Sequence, residues 1–120
     1  MTKFLLLFSF WFAAATLQAQ PVSVIPEPAE MIMPRTAASF SIGPATKIFV
    51  SGNKTERAVN YLNSYLQKQY GFTCAMQKGE GVGIQLRETS SAGPQGAYRI
   101  AVNAKGVLVE GADTGIFYGI

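Results

Sequence analysis

Apolar residues recur along this chain with two different periods. Between residues 55 and 70 they fall at Ala58, Val59, Leu62, Tyr65, Leu66 and Tyr70, while Arg57, Asn60, Asn63 and Lys68 fall between them. That spacing gathers the apolar positions on one side of a helix predicted over 55–69. Asn53, followed three residues later by Glu56, has the pattern of a capping box, and Gly71 is placed to end the helix in a left-handed turn. Elsewhere the period is two. Short strands are predicted at 39–42 and 47–50, separated by Gly43-Pro44. In 72–77, Phe72, Cys74 and Met76 share one parity and so one face of a strand; in 82–87, Val82, Ile84 and Leu86 do the same. The clearest strand pair is 97–102 with 107–112, joined by Asn103-Ala104-Lys105-Gly106. A short link ending in Gly predicts a hairpin with a left-handed residue at its end. Val22 to Pro28 reads as extended and 89–96 as a loop, and Asp113 is positioned to cap a second helix starting at Thr114. The expected fold is α+β: a small, mostly antiparallel sheet with one main helix packed on it, ending at the start of a second helix.

The two ends depart from this patterning. Lys3 precedes an apolar run, Phe4 to Ala15, which small and polar residues follow. This is the layout of a secretory signal peptide over residues 1–19, cut after Ala19; the run falls short of the roughly 20 residues that span a bilayer. Residues 20–120 are then one exported domain, periplasmic or extracellular, with no membrane attachment after cleavage. At the other end Ile116, Phe117, Tyr118 and Ile120 are large and apolar, with no polar tail behind them. They are expected to pack against more chain or a partner, and are the candidate interdomain contact residues.

Composition and charge remove most chemistries. The formal net charge is +3, and the basic residues are scattered rather than striped, so nucleic acid is not an expected partner. There is no His, which removes serine–histidine devices and His-based zinc sites. The single Cys74 allows no intramolecular disulfide and reads as a buried small hydrophobe. The acidic residues, Glu27, Glu30, Glu56, Glu80, Glu88, Glu110 and Asp113, are dispersed through loops, caps and turn edges. They suggest neither a calcium loop nor the carboxylate pair of a glycosidase. Gly79-Glu80-Gly81-Val82-Gly83 opens a strand, not a helix, so it reads as a turn and not a phosphate loop. Asn53-Lys54-Thr55 fits a glycosylation pattern but is read as the helix cap. No catalytic, substrate-binding or metal-binding residue and no cofactor is expected.

Several segments together resemble a known family. Val24-Ile25-Pro26-Glu27-Pro28 is similar to the opening of the N-terminal, non-catalytic domain of bacterial β-N-acetylhexosaminidases of glycoside hydrolase family 20. The helix running into Tyr70-Gly71-Phe72 matches that domain's helix and its glycine–aromatic turn. Gly96 to Val102 with Lys105 to Ala112 resembles its hairpin, and Thr114-Gly115-Ile116-Phe117-Tyr118-Gly119-Ile120 resembles the run leading into the catalytic barrel. The likeness covers nearly all of residues 20–120. It implies an accessory domain packed against a (β/α)8 barrel, and that barrel is the expected partner. The barrel would remove terminal N-acetylhexosamine from glycans, with its own Asp–Glu pair supporting attack by the sugar's acetamido oxygen. Nothing in this chain matches that pair. The alternative is a stand-alone module that binds carbohydrate through Tyr61, Tyr65 or Tyr70, or one that binds protein.

Overall fold

The computed structural model describes residues 29–33, 35–36, 38–112 and 114–120. The signal peptide, the extended segment 22–28 and the Asp113 cap lie outside them. The chain divides into two compact units, Met1–Ile32 and Met33–Ile120. The described residues of the first, 29–32, form no helix or strand. The second holds every element among the described residues: β1 (Lys47–Ser51), α1 (Glu56–Tyr70), β2 (Ala75–Lys78), β3 (Gly83–Glu88), a single 3-10 turn (Ser90–Ala92), β4 (Tyr98–Asn103), β5 (Gly106–Gly111) and α2 (Gly115–Gly119). The strands form one sheet in the order β2-β1-β3-β5-β4.

The fold is α+β as expected, but the sheet is mostly parallel. β1 pairs parallel with β2 and with β3, and β3 pairs parallel with β5; only β4 and β5 are antiparallel. The reason lies in the two connections. α1 carries the chain back along the sheet, so β2 re-enters in the direction of β1. Residues 79–82 then lie between two strands on opposite sides of β1, and so cross over it instead of closing a hairpin. The crossing is fixed by side chains. The Gly79 N–H donates to Val50 O at 3.0 Å. Gln85 donates from Nε2 to Gly79 O at 3.1 Å and accepts at Oε1 from the Gly81 N–H at 3.3 Å. The Phe49 ring occupies the space where a Gly81 side chain would sit. This explains why Gln85 is buried although its parity is polar, and why Val82, expected to point inward, is exposed.

The core lies between the sheet and the two helices. Ile48 and Val50 of β1, Ile84 and Leu86 of β3, and Val109 of β5 meet Ala58, Val59 and Leu66 of α1 and Ile116 of α2, with Cys74 at one margin. In a parallel pair the matched residues share a face, so the registers Ile48↔Ile84, Val50↔Leu86 and Leu86↔Val109 build one continuous apolar layer. The periodicity of α1 therefore predicts the buried face correctly at Ala58, Val59 and Leu66. It is wrong at Tyr65 and Tyr70, which are exposed. They border the buried stripe of Ala58, Val59 and Leu66.

Other local expectations differ in instructive ways. Residues 39–42 form no strand; the Gly43–Thr46 turn is closed instead by Thr46 N–H to Gly43 O at 3.0 Å and Gly43 N–H to Thr46 Oγ1 at 2.9 Å. Asn53 does not cap α1. Its backbone N–H donates to Glu88 Oε2 at 2.9 Å, Thr55 is the residue before the helix, and the Thr55 side chain makes no cap bond. A tertiary contact from the end of β3 thus replaces the local box. Phe72 to Cys74 precede β2 rather than belonging to it, and Met76 on this edge strand is exposed although its parity is that of the buried Cys74. Ile100 and Val102 likewise have the predicted parity on edge strand β4 but remain about half exposed. The β4–β5 hairpin forms with Asn103 opposite Gly106, and the Lys105 N–H bonds Asn103 Oδ1 at 2.8 Å. Gly106 does not adopt a positive φ. Its lack of a side chain admits the Gly83 carbonyl of the adjoining strand.

Candidate functional site

The candidate contact residues lie on α2 and at its C-cap, Ile120, and three glycines set how that helix lies. A side chain on Gly111 would strike the Ile116 backbone, and one on Gly115 would strike the Ala97 carbonyl. A Cβ on Gly119 would sit 2.7 Å from Val109 Cγ1 and 3.3 Å from Tyr98 Cδ2. Gly115 and Gly119 are four apart and so share one helix face, which lies directly on the β4–β5 hairpin. The turn into α2 is held by Gly115 N–H to Ala112 O at 2.9 Å and Ala112 N–H to Ala97 O at 3.3 Å. This close seating determines the fate of each apolar residue. Ile116 is driven into the domain's own core and is 1% exposed. Phe117 and Ile120 are half-buried, and Tyr118 is 61% exposed. Of the four sequence candidates, Phe117, Tyr118 and Ile120 therefore keep surface for a neighbour, and Ile116 is spent within the domain.

Phe117 also bridges the two helices. Its ring centroid is 5.0 Å from that of Tyr61 on α1, the planes inclined at 54°, and the Arg57 guanidinium lies 5.8 Å from the same ring centre. Phe117 and Tyr118 are 6.3 Å apart in an edge-on arrangement. The sequence signal for this seating was the Gly115–Gly119 spacing, which hydrophobic periodicity does not score.

Glu80, Glu88 and Glu110 are engaged elsewhere. On the sheet face away from the helices, Arg87 bonds Glu80 at 2.7 Å and Glu110 at 3.0 Å, and Arg99 approaches Glu110 at 3.9 Å. The bonds to Glu110 and then Glu80 hold the Arg87 guanidinium above its ordinary pKa. Glu88 accepts from the Asn53 backbone. Two open grooves indent the surface. One, of about 490 Å³, is lined by Asn60, Asn63, Ser64, Gln67, Lys68 and Thr73, without a carboxylate. The other, of about 410 Å³, has Glu88 beside Thr89, Ser90, Gln95 and Ala112. Neither groove is lined by two acids, and among the described residues no group of three or more His, Cys, Asp or Glu is placed to hold a metal ion. Cys74, 3% exposed, sits against Gly43 O with Sγ at 3.8 Å, and burial pushes its thiol pKa up. It is the packed hydrophobe expected, not an activated nucleophile.

The comparisons with known proteins agree with this layout. The profile of glycosyl hydrolase family 20, domain 2, matches residues 21–120. The chain belongs to the domain 2 family of glycosyl hydrolase family 20. Among solved structures it is similar to the GH20 beta-N-acetylhexosaminidase from Streptomyces coelicolor A3(2), with 30% sequence identity and a TM-score of 0.66. That likeness covers 84% of this chain but 21% of the Streptomyces one, so the chain spans about a fifth of the length of the enzyme it matches. No curated protein sequence matches. The resemblance to the N-terminal domain of family 20 enzymes is thus shown. The α2 glycines give one of its motifs a physical meaning: they let a short helix lie on the hairpin.

Proposed function

We propose that this chain is the non-catalytic accessory domain of an exported β-N-acetylhexosaminidase, acting by packing against the barrel that cleaves terminal N-acetylhexosamine. The observation that carries the proposal is the match to domain 2 over residues 21–120, against a family enzyme in which the matched part is 21% of the chain. The carboxylates support it. A glycosidase uses one carboxyl group as a proton donor and a second as nucleophile, base or orienting group. Here Glu80 and Glu110 are both bonded to the guanidinium of Arg87, and Glu88 is engaged with a backbone N–H. Phe117, Tyr118 and Ile120 are the residues of α2 that would meet the barrel. Export rests on the residue order of the first nineteen positions.

Two measurements test the proposal. Purified chain, incubated with a chromogenic N-acetylglucosaminide, should release no chromophore; turnover that scales with chain concentration overturns the non-catalytic assignment. Chain exported from a bacterial host should begin at Gln20, and recovery of the intact Met1 terminus overturns the signal peptide.

A further inference from the structure

We propose that the sheet face away from the helices is a docking surface for a second copy of this chain, related to the first by a two-fold axis along the strands. The proposal stands apart from the accessory-domain assignment. Four charged residues form one row across this face: Glu80 on the 79–82 crossing, Arg87 on β3, Glu110 on β5 and Arg99 on β4. Arg87 lies opposite Glu110, and Glu110 opposite Arg99, in the register of the strands, so the row runs straight across them. Its signs alternate: negative, positive, negative, positive. The two inner side chains are the less exposed, 37% at Arg87 and 17% at Glu110; the outer two are 70% exposed at Glu80 and 69% at Arg99. The outer two also keep capacity for a further partner. Glu80 bonds Arg87 through one oxygen, Oε1, and Arg99 reaches Glu110 only at 3.9 Å, beyond hydrogen-bond distance.

The occupant follows from the order of the signs. An alternating row of four is antisymmetric about its midpoint. A two-fold axis lying in the interface along the strands reverses the row. Glu80 of one copy then meets Arg99 of the other, and Arg87 meets Glu110, so opposite charges face each other at all four positions. A two-fold axis along the row would instead set each charge against itself. Charge thus selects one of the two ways in which these identical faces can stack in alignment. Aligned sheets pack in this manner about 10 Å apart. Around the row, half-buried Phe49 and Leu108 and exposed Ala101 supply apolar ground. Parallel sheets are normally covered on both faces, and a second copy supplies the cover that the described residues leave incomplete. A polyanion is a poorer occupant, because the two carboxylates of the row cancel its two guanidinium charges. The area sets the strength. Five strands about 4.8 Å apart, with six-residue strands about 20 Å long, make a face of roughly 24 by 20 Å. That is smaller than the ~800 Å² per partner of a stable complex, so the pair is weak and forms as concentration rises.

The test is sedimentation equilibrium of the purified exported chain at low salt, at concentrations up to about 1 mM, where weak pairs form. The average mass should rise toward that of a dimer, and the rise should shrink as salt is added. Arg99→Glu and Glu80→Arg each place like charges together at both ends of the row. Each should weaken self-association at least about tenfold, on the order of 1.4 kcal/mol. Mixed in equal amounts, the two variants should associate again. The Arg99→Glu chain then meets the Glu80→Arg chain with opposite charges at all four positions, a rescue that a folding defect in either variant would not give. Wild-type chain that stays monomeric at about 1 mM overturns the proposal. So does association that both variants retain, or that their mixture fails to restore while both melt as the wild type does. Association abolished by Tyr118→Ser, with both charge variants still pairing, moves the contact to the helix side and overturns it as well.

Discussion

At Gly71 the backbone sits at φ 78° and ψ 17°, and its N–H bonds Gln67 O at 3.1 Å to close the last turn of α1. Nothing lies within 4 Å of where a side chain would project, so Gly71→Ala meets only the left-handed backbone penalty. It should destabilise the domain by about 1 kcal/mol, measured by urea unfolding. Gly119 is the converse. It has helical geometry, in which Ala would normally be favoured, yet an added Cβ lies 2.7 Å from Val109 Cγ1. Gly119→Ala should therefore cost about 1–3 kcal/mol through overpacking, despite its better helix propensity. A stabilising Gly119→Ala would mean that α2 can lift from the hairpin freely. Cys74 gives a residue-scale pH dependence. Burial raises its folded pKa above the ordinary 9.0, so the native state holds its proton more tightly than the unfolded chain. The linked stability is fully present below the unfolded value and is lost as pH rises from there through the folded value. Cys74→Ala should flatten the alkaline fall of Tm, and the wild-type thiol should react with a disulfide reagent only on unfolding.

Between elements, the link from α1 to β2 runs through one side chain. Asn63 donates from Nδ2 to Cys74 O at 3.0 Å and accepts at Oδ1 from the Cys74 N–H at 2.8 Å. It thereby satisfies both backbone groups of a residue just outside the sheet. Asn63→Ala should cost about 1–3 kcal/mol by thermal or urea unfolding, more than Asn60→Ala on the exposed side of the same helix. The sequence placed Asn63 on the polar side of α1, which is correct, but a helical pattern cannot show that a polar residue is reaching for a strand. The same limit explains the sheet. Alternation reports which residues share a face and nothing about which strand lies alongside, so Ile84 and Leu86 were legible as sharing one face while their parallel pairing was not. The β4–β5 hairpin was legible because a two-residue turn leaves one geometry, as Asn103 opposite Gly106 shows. The link at 79–82 is also short, but its route depends on the Gln85 side chain and on Phe49, which comes from β1. At the candidate site, the α2 residues were found from their apolarity. Burial of Ile116 by its own domain follows from Gly115 and Gly119, a steric signal that a hydrophobicity pattern omits.

For the whole molecule, the unusual feature among the described residues is a largely parallel sheet with helices on only one side. Parallel strands are normally covered on both faces, because their connections place helices there. Here the second face is covered by the 79–82 crossing and by a ladder of charges across β3, β5 and β4: Arg87 opposite Glu110, and Glu110 opposite Arg99. Cross-strand pairs of opposite charge contribute on the order of 0.2–1 kcal/mol each, and exposure and salt reduce them further. The Glu110 side chain is 17% exposed and that of Arg87 37%, whereas Glu80 is 70% exposed. The Arg87–Glu110 pair should therefore carry more of the stabilisation than Arg87–Glu80. A double-mutant cycle with Arg87→Met and Glu110→Gln should give a coupling of about 0.5–1 kcal/mol at low ionic strength, shrinking as salt is added. The same cycle with Glu80→Gln should give a smaller coupling. Equal couplings would mean that the ladder tethers the crossing more than it joins the strands. A negligible Arg87–Glu110 coupling would mean that this face is held by Phe49, Leu108 and Gln85 alone, with the charges serving solubility.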